Sequence, residues 1–323
     1  APEEAVKGAL EAAAEWPDTT FILVGDEQRV RPLLNGRTPP NVELRHAAGV
    51  IGPDDEPVRA VRRKKDASMV VAARMVKEGE ADAMLSAGNT GALMAAGLLV
   101  VGRIPGVERP ALAQTIPSVD DVGVLALDLG ANVEARPEHL HMYAVMGSLY
   151  RQLVHGMERP RVGLLNVGTE EGKGTGLMKE TYELLGSDPG IRFTGNVEAR
   201  DVLQRACDVL VCDGFSGNIM LKSFEGAAAL IMGELKRAFM KNAISKLAAA
   251  VVKPGLSRLR RKMDYKEYGG APLLGLAGIV VKCHGSSDAR AFRNGIRQAR
   301  DAVRHGLIRA IAEHISRKEG SGG

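Results

Sequence analysis

With 323 residues and 45% hydrophobic side chains, the chain can bury a large core, as one big α/β domain or two smaller ones. Its 43 basic and 39 acidic residues leave a net charge of +4, and 4% aromatic content leaves few platforms for stacking bases, so nucleic acid is not an expected partner. Cys207, Cys212 and Cys283 form no Cys-x-x-Cys pair, which argues against a disulfide framework or a thiolate zinc site and fits a reducing cytoplasm. With no leader and no run of about 18 apolar residues, any membrane contact is expected to be peripheral.

Apolar runs that read as strands cover Thr20 to Val24, Val42 to His46, Ala83 to Leu85, Ala111 to Ile116, Val122 to Leu127, Arg161 to Val167, Asp208 to Cys212 and Gly278 to Cys283. Between them, helical spacing marks Ser68 to Glu78, Gly91 to Val101, Glu138 to Val154, Lys179 to Leu185 and Ala289 to Ile315. Such alternation predicts a mainly parallel sheet with helices on both faces. Ile51 to Pro57 is a turn leading into Arg59, Arg62, Arg63, Lys64 and Lys65, either a solvated helix face or a docking patch for an acidic ligand. From Phe215 to Lys262 helical spacing runs on, interrupted by Lys253-Pro254-Gly255. Between Lys236 and Lys266 ten basic residues face one acid, Asp264, beside an apolar stripe of Ile244, Leu247, Ala248, Val251 and Val252. That pattern suits a dimer arm, a membrane-surface element, a docking face or core packing. Lys318 to Gly323 reads as a disordered tail after a domain spanning residues 1–317.

Three strands end in glycine-bearing turns followed by helix-forming sequence: Ser86-Ala-Gly88-Asn89-Thr90-Gly91, Asn166-Val-Gly168-Thr169-Glu-Glu-Gly172-Lys173-Gly174 and Asp213-Gly-Phe-Ser-Gly217-Asn218. Glycine lets backbone approach a ligand, and helix starts favour anions, so a phosphate-bearing or other anionic ligand over strand carboxyl ends is expected. Lys173 suits a phosphate or a developing oxyanion, but its loop has neither Walker A nor Gly-x-Gly-x-x-Gly spacing, and nucleotide binding and simple turn chemistry both remain open. Asn218 can cap a helix or donate to a ligand oxygen, and Asp213 ends an apolar strand, where a carboxylate must be paired or functional. The same logic applies to Asp128-Leu-Gly-Ala-Asn132. His284 opens His-Gly-Ser-Ser-Asp288 and can be structural or a proton donor. His139 and His141 are two apart on a helix and do not suggest a shared metal. No Ser/His/Asp order appears, and Cys212 reads as a buried strand residue.

Taken in order, Ser86 to Leu93, Asp128 to Asn132, Arg161 to Thr169, Gly195 to Arg200, Asp213 to Asn218, Tyr268-Gly-Gly-Ala271 and His284 to Asp288 resemble the bacterial acyl-acyl carrier protein:phosphate acyltransferases, from Ala1 to about Arg304. The resemblance implies transfer of a fatty acyl group from acyl carrier protein to inorganic phosphate, giving an acyl phosphate for a glycerol-3-phosphate acyltransferase partner in phospholipid synthesis. It implies catalytic roles for Lys173, Asn218 and His284, and substrate contacts at Ser86, Gly88, Asn89, Thr90, Asn132, Gly168, Thr169, Asp213 and Gly217. It implies a three-layer α/β/α fold similar to isopropylmalate dehydrogenases and phosphate acetyltransferases, with no cofactor or metal. A cytoplasmic homodimer on the inner face of the plasma membrane is implied, with residues 239–262 as dimer and membrane arm. Such proteins usually begin with a short strand and an Asp-Ala-Met-Gly-Gly-Asp turn immediately before the Ala-Pro that opens this sequence, and without those residues a sheet strand and part of the ligand loop would be missing. A short-chain acyl-coenzyme A enzyme and a non-catalytic scaffold are the alternatives.

Overall fold

In a computed structural model the alternating runs close into three sheets, with residues 2–34, 36, 38–120, 122–262 and 269–321 described. The side chains at 243, 247, 250, 257–262 and 318–321 lie outside that description, as do Tyr268 and the end of the expected tail. The amino-terminal part holds α1 (Pro2–Glu15), β1 (Phe21–Gly25), α2 (Glu27–Val30), β2 (Val42–His46), α3 (Pro57–Arg63), α4 (Ser68–Glu78), β3 (Ala83–Ser86) and α5 (Thr90–Ala96). A π-helical turn (Gly97–Val101) extends α5. Next come β4 (Ala111–Leu112), β5 (Gln114–Ile116), β6 (Val124–Leu127), α6 (Pro137–His155), β7 (Arg161–Asn166), α7 (Gly176–Gly186), β8 (Arg192–Glu198), α8 (Ala199–Val202) and β9 (Val209–Val211). The chain ends with α9 (Gly214–Met240), α10 (Ala243–Lys262), β10 (Ala271–Leu274), β11 (Ile279–Lys282), α11 (Ala289–Arg304) and α12 (Leu307–Ser321).

The sheet orders are β1-β2, β3-β11-β10-β4 and β5-β6-β9-β7-β8. Parallel ladders join β1 to β2, β3 to β11, β6 to β9, β9 to β7 and β7 to β8, while β10 pairs antiparallel with β11 and β4, and β5 antiparallel with β6. Ala113 alone separates β4 from β5, and its N–H donates to Pro272 O at 2.9 Å, so one short segment is the seam between the two larger sheets. Following the directions through that seam, β3 and β11 run one way and β6, β9 and β7 the other. Lys282 lies opposite Ala271, and Asp128 reaches Leu112, so both sets of carboxyl ends stop within about two residues of the level of Ala113. Three strand spacings separate β11 from β6, roughly 14 Å in the hydrogen-bonding direction.

The inner strands β6, β9 and β7 of the five-stranded sheet are apolar on both faces because helices cover both. Leu125, Leu127, Val162, Leu164, Val209 and Val211 pack with α6 in the largest core cluster. The alternate residues Val124, Ala126, Leu165, Leu210 and Cys212 pack on the other face with Met220 of α9. The four-stranded sheet buries Met84, Val280 and Leu273 against α3, α4 and α5. Full burial of each such aliphatic side chain contributes roughly 1.5–3 kcal/mol, so both sheets are held as central layers.

Four expectations change. The long helical stretch breaks at Lys241–Asn242 rather than at Lys253 to Gly255: the Asn242 Oδ1 accepts from Ser245 N at 2.8 Å, a cap that starts α10, and Pro254 lies inside that helix. Residues 289–315 form two helices because Gly306 adopts φ +64°, a left-handed conformation that ends α11 and re-aims the chain. The helix α12 continues to Ser321, through the helix formers Lys318 and Glu319 of the expected tail. Finally, β8 and β10 were not foreseen. The former is a sheet-edge strand with polar side chains, and the latter is only Ala-Pro-Leu-Leu.

Candidate active site

One candidate wall of the site lies where β3 and β11 end side by side, tied by Cys283 N donating to Ser86 O at 2.8 Å. The Gly88 N–H donates to Ser86 Oγ at 3.1 Å, which turns the chain into α5. Asn89 is the cap of that helix, its Oδ1 accepting from Ala92 N at 2.9 Å while its Nδ2 donates to Pro53 O at 3.2 Å. Thr90, the first helical residue, is exposed. His284 follows β11 and is exposed; its Nδ1 accepts from Ser286 N at 3.2 Å and lies 2.8 Å from Ser286 Oγ. With Nδ1 accepting, the ring proton of the neutral form is assigned to Nε2, which suits donation to a leaving group. Asp288 caps α11 through Ala291 N at 3.0 Å.

The opposite wall is built on a buried carboxylate. Asp128 accepts from Leu112 N at 3.1 Å, Ala131 N at 3.0 Å, Asn132 N at 2.7 Å and Asn132 Nδ2 at 2.9 Å. Burial pushes its carboxyl above the usual carboxylate range, and these four donors oppose that shift. Asn132 Nδ2 also donates to Pro110 O at 2.8 Å and Tyr143 Oη at 3.1 Å, while Asn132 O accepts from Gly214 N at 2.9 Å. Asn132 therefore ties the loop after β6 to the seam, to α6 and to the start of α9.

Asp213 is the cap of α9, with Oδ1 accepting from Phe215 N at 3.0 Å and Ser216 N at 2.8 Å. That carboxylate is paired, which answers the cost of its burial. Asn218 then falls one turn inside the helix, so the capping alternative for it is gone. It is exposed and lies against Gly130, where a Cβ would sit 3.5 Å from the Asn218 amide carbon. Gly217 points the other way. A Cβ there would collide with the Asp128 carbonyl oxygen and lie 2.7 Å from Cys212 Sγ, so this glycine lets helix and strand approach and offers no surface to a ligand.

The loop after β7 adjoins this wall through the β7–β9 ladder. Two asparagines that the sequence reading left without a role hold it. Asn166 Nδ2 donates to Lys173 O and to Asn196 Oδ1, both at 3.1 Å, and Asn196 Nδ2 donates to Glu170 O at 2.8 Å. Asn166 ends β7, where a polar residue closes an apolar run, whereas Asn196 lies in β8, whose sequence has no such run. Gly168 is buried and Thr169 exposed. Lys173 extends into solvent, and the partner of its ammonium is Glu170 of the same loop at 3.8 Å rather than a group of the opposite wall.

Other polar clusters stand apart. His139 joins Glu108 at 3.1 Å and His141 joins Asp188 at 2.7 Å, so the two rings go to different partners. Among the described residues no group of three or more His, Cys, Asp or Glu side chains is placed to hold a metal. Burial pushes the thiols of Cys207 and Cys283 up to about 12 and that of Cys212 well above the usual range, which makes them inert at neutral pH.

A family model described as fatty acid synthesis protein matches residues 1–310. A curated relative, the phosphate acyltransferase of Brevibacillus brevis, is 56% identical over 317 residues, covering 98% of this chain and 94% of its own. The chain belongs to this family. The phosphate acyltransferase of Oceanobacillus iheyensis is likewise 54% identical, over 99% of this chain and 96% of its own. Membership makes the protein an acyltransferase, and the seven motifs that pointed to it all lie within the matched span. Two solved structures share the family member's architecture: the EutD phosphotransacetylase from Staphylococcus aureus, with a TM-score of 0.59 at 18% identity, and a phosphotransacetylase from Streptococcus pyogenes, with 0.61 at 17%. Each comparison covers 94% of this chain and 92% of the other, and at this identity the likeness concerns the fold, which is the expected α/β arrangement.

Proposed function

We propose that the protein transfers a fatty acyl group from the phosphopantetheine thioester of acyl carrier protein to inorganic phosphate, releasing an acyl phosphate. The observation that carries this reading is that two oppositely directed strand sets, each ending in polar loops, stop near the level of Ala113, in a chain whose relatives are named phosphate acyltransferases. In the reaction a phosphate oxygen attacks the thioester carbonyl carbon, a C–O bond forms, the C–S bond breaks, and the departing thiolate takes a proton. Phosphate is its own nucleophile, so the site needs only positioning, oxyanion stabilisation and that proton. Lys173 and Asn218 are assigned to the oxyanion and the incoming carbonyl, Ser86 to Thr90 with Gly168 and Thr169 to phosphate and donor contacts, and His284 Nε2 to the thiolate. Asn132, Asp213 and Gly217 serve by holding the loops in place.

The product's destination is a glycerol-3-phosphate acyltransferase, which places the protein in phospholipid synthesis at the cytoplasmic face of the plasma membrane. The arm formed by the end of α9 and α10 supports a homodimer with peripheral membrane contact. Ile244 is 81% and Val251 76% exposed beside Lys246 and Lys253, while among the described residues no helix is long and apolar enough to cross a membrane. The Leu247 side chain of that stripe lies outside the described residues. Residues 1–317 act as a single catalytic domain that includes the arm.

The test is to incubate the full chain with long-chain acyl carrier protein and inorganic phosphate and trap acyl phosphate as its hydroxamate. Acyl phosphate formation at a rate well above that with short-chain acyl-coenzyme A supports the reading. A preference for the short-chain donor replaces it with phosphotransacetylase chemistry, and binding of the carrier without product replaces it with a scaffold.

A further inference from the structure

One further cation stands at the β3 and β11 strand ends. Lys282 is the last residue of β11, in register with Ser86 of β3 and Ala271 of β10. Two residues earlier Val280 and Met84 pack in the same core cluster, so by strand alternation Lys282 and Ser86 leave the same face of the sheet. The side chain is half-buried, and its ammonium donates to the Cys283 carbonyl. Among the described residues no carboxylate pairs with it. Withdrawing an ammonium from water without a counter-charge is costly, and burial lowers its pKa below the usual lysine value.

The contrast with Lys173 is informative. That lysine is 51% exposed and has Glu170 at 3.8 Å, so its charge is already hydrated and partly compensated. An apolar side chain would fill the place of Lys282 at lower cost. A desolvated cation that has no carboxylate partner among the described residues, beside Ser86 of the neighbouring strand and leading into His284, is compensated when an anion arrives.

We propose that Lys282 is the binding residue for the inorganic phosphate acceptor, holding the anion against the β3 and β11 strand ends with the Ser86 hydroxyl on the same face. The proposal rests on the reading of the protein as an acyl transferase to phosphate, and adds the side chain that receives the nucleophile. The acceptor then sits on one wall, and the acyl donor reaches it from the wall bearing Asn218 and Lys173. Lys282 forms no covalent bond; it acts by charge and by donated hydrogen bonds.

The experiment uses the full chain as wild type, Lys282→Met and Lys282→Arg, with initial rates at varied inorganic phosphate and thermal melts with and without it. Lys282→Met should raise the phosphate KM about tenfold to a hundredfold, the scale of a lost hydrogen bond to a charged group, with the acyl-donor KM within about twofold of wild type. Its melting temperature without phosphate should equal or exceed that of wild type, and the phosphate-induced rise should vanish. Lys282→Arg should recover part of that rise. An unchanged phosphate KM with a retained phosphate-induced rise in Lys282→Met overturns the proposal, as does an equal rise in both KM values. If wild type makes no acyl phosphate, the activity reading fails, and the melts still decide whether Lys282 binds phosphate.

Discussion

Replacing Asn132 with Ala removes the side chain that joins the buried Asp128 carboxylate to two other places, the segment before β4 and α6. The lost bond from Nδ2 to Asp128 Oδ2, 2.9 Å long, is to a charged acceptor and costs about 1.5–3 kcal/mol. Pro110 O and Tyr143 Oη, at 2.8 and 3.1 Å, also lose a donor, and with Tyr143 fully buried the sum is expected near about 3 kcal/mol. For a chain of this size that lowers the melting temperature by roughly 4 °C. The pH dependence carries a sign. Burial raises the native Asp128 pKa above its unfolded value, so its contribution to stability is largest below the unfolded pKa and is lost as pH rises through the native one. Removing a donor to the carboxylate raises the native pKa further, so the loss in Asn132→Ala should be greater at about pH 8 than at about pH 5. Urea denaturation followed by circular dichroism at both pH values measures this. A loss below about 0.5 kcal/mol, or one equal at both pH values, refutes the reasoning.

Lys173→Ala should lower acyl phosphate formation by about a hundredfold with little loss of folding, measured as hydroxamate; near-normal turnover in the folded variant removes Lys173 from the site. Since Asp213 already caps α9, Asn218→Ala should melt within about 0.5 kcal/mol of wild type while turnover falls at least about tenfold, and paired melts and initial rates check both. The native thiols, buried and pushed up to about 12 or beyond, should resist a thiol-specific disulfide reagent at neutral pH and react only on unfolding; prompt labelling of the native protein contradicts their placement. Ile244→Glu with Val251→Glu should reduce co-sedimentation with anionic vesicles, and salt should weaken the binding of the unmodified protein. Light scattering on the same samples separates this from dimer loss: a monomeric variant that still binds vesicles assigns the stripe to the other subunit.

Strands such as Arg161–Asn166 and Val209–Val211 were legible because burial on both faces leaves an unbroken apolar run. The edge strand β8 carries Arg192, Thr194 and Asn196 and leaves no such run. The glycine loops were legible as turns, but not what each glycine faces: Gly217 packs against Asp128 O on the strand below, whereas Gly88, exposed on its other side, faces the Met69 side chain of α4. Pro254 looked like a helix break because proline usually is one, and the local cap at Asn242 decided otherwise. The common level of the two sets of strand ends depends on the antiparallel β10 and on Ala113 passing between sheets, and neither has a periodic signal. The sequence likewise shows Lys282 as a polar strand end; that it is desolvated and, among the described residues, has no carboxylate partner emerges only when the chain is folded.

The central claim is that one cleft, closed by the two sets of strand ends, performs the transfer. A crystal structure of the full chain with a long-chain acyl phosphate bound tests it most directly. The account expects the phosphoryl group beside Ser86 and the β11 end, with the acyl carbonyl turned toward Asn218 and the loop bearing Lys173. A phosphoryl group bound reproducibly outside that cleft, with the loops at Ser86, Asn132 and Gly168 untouched, would contradict it.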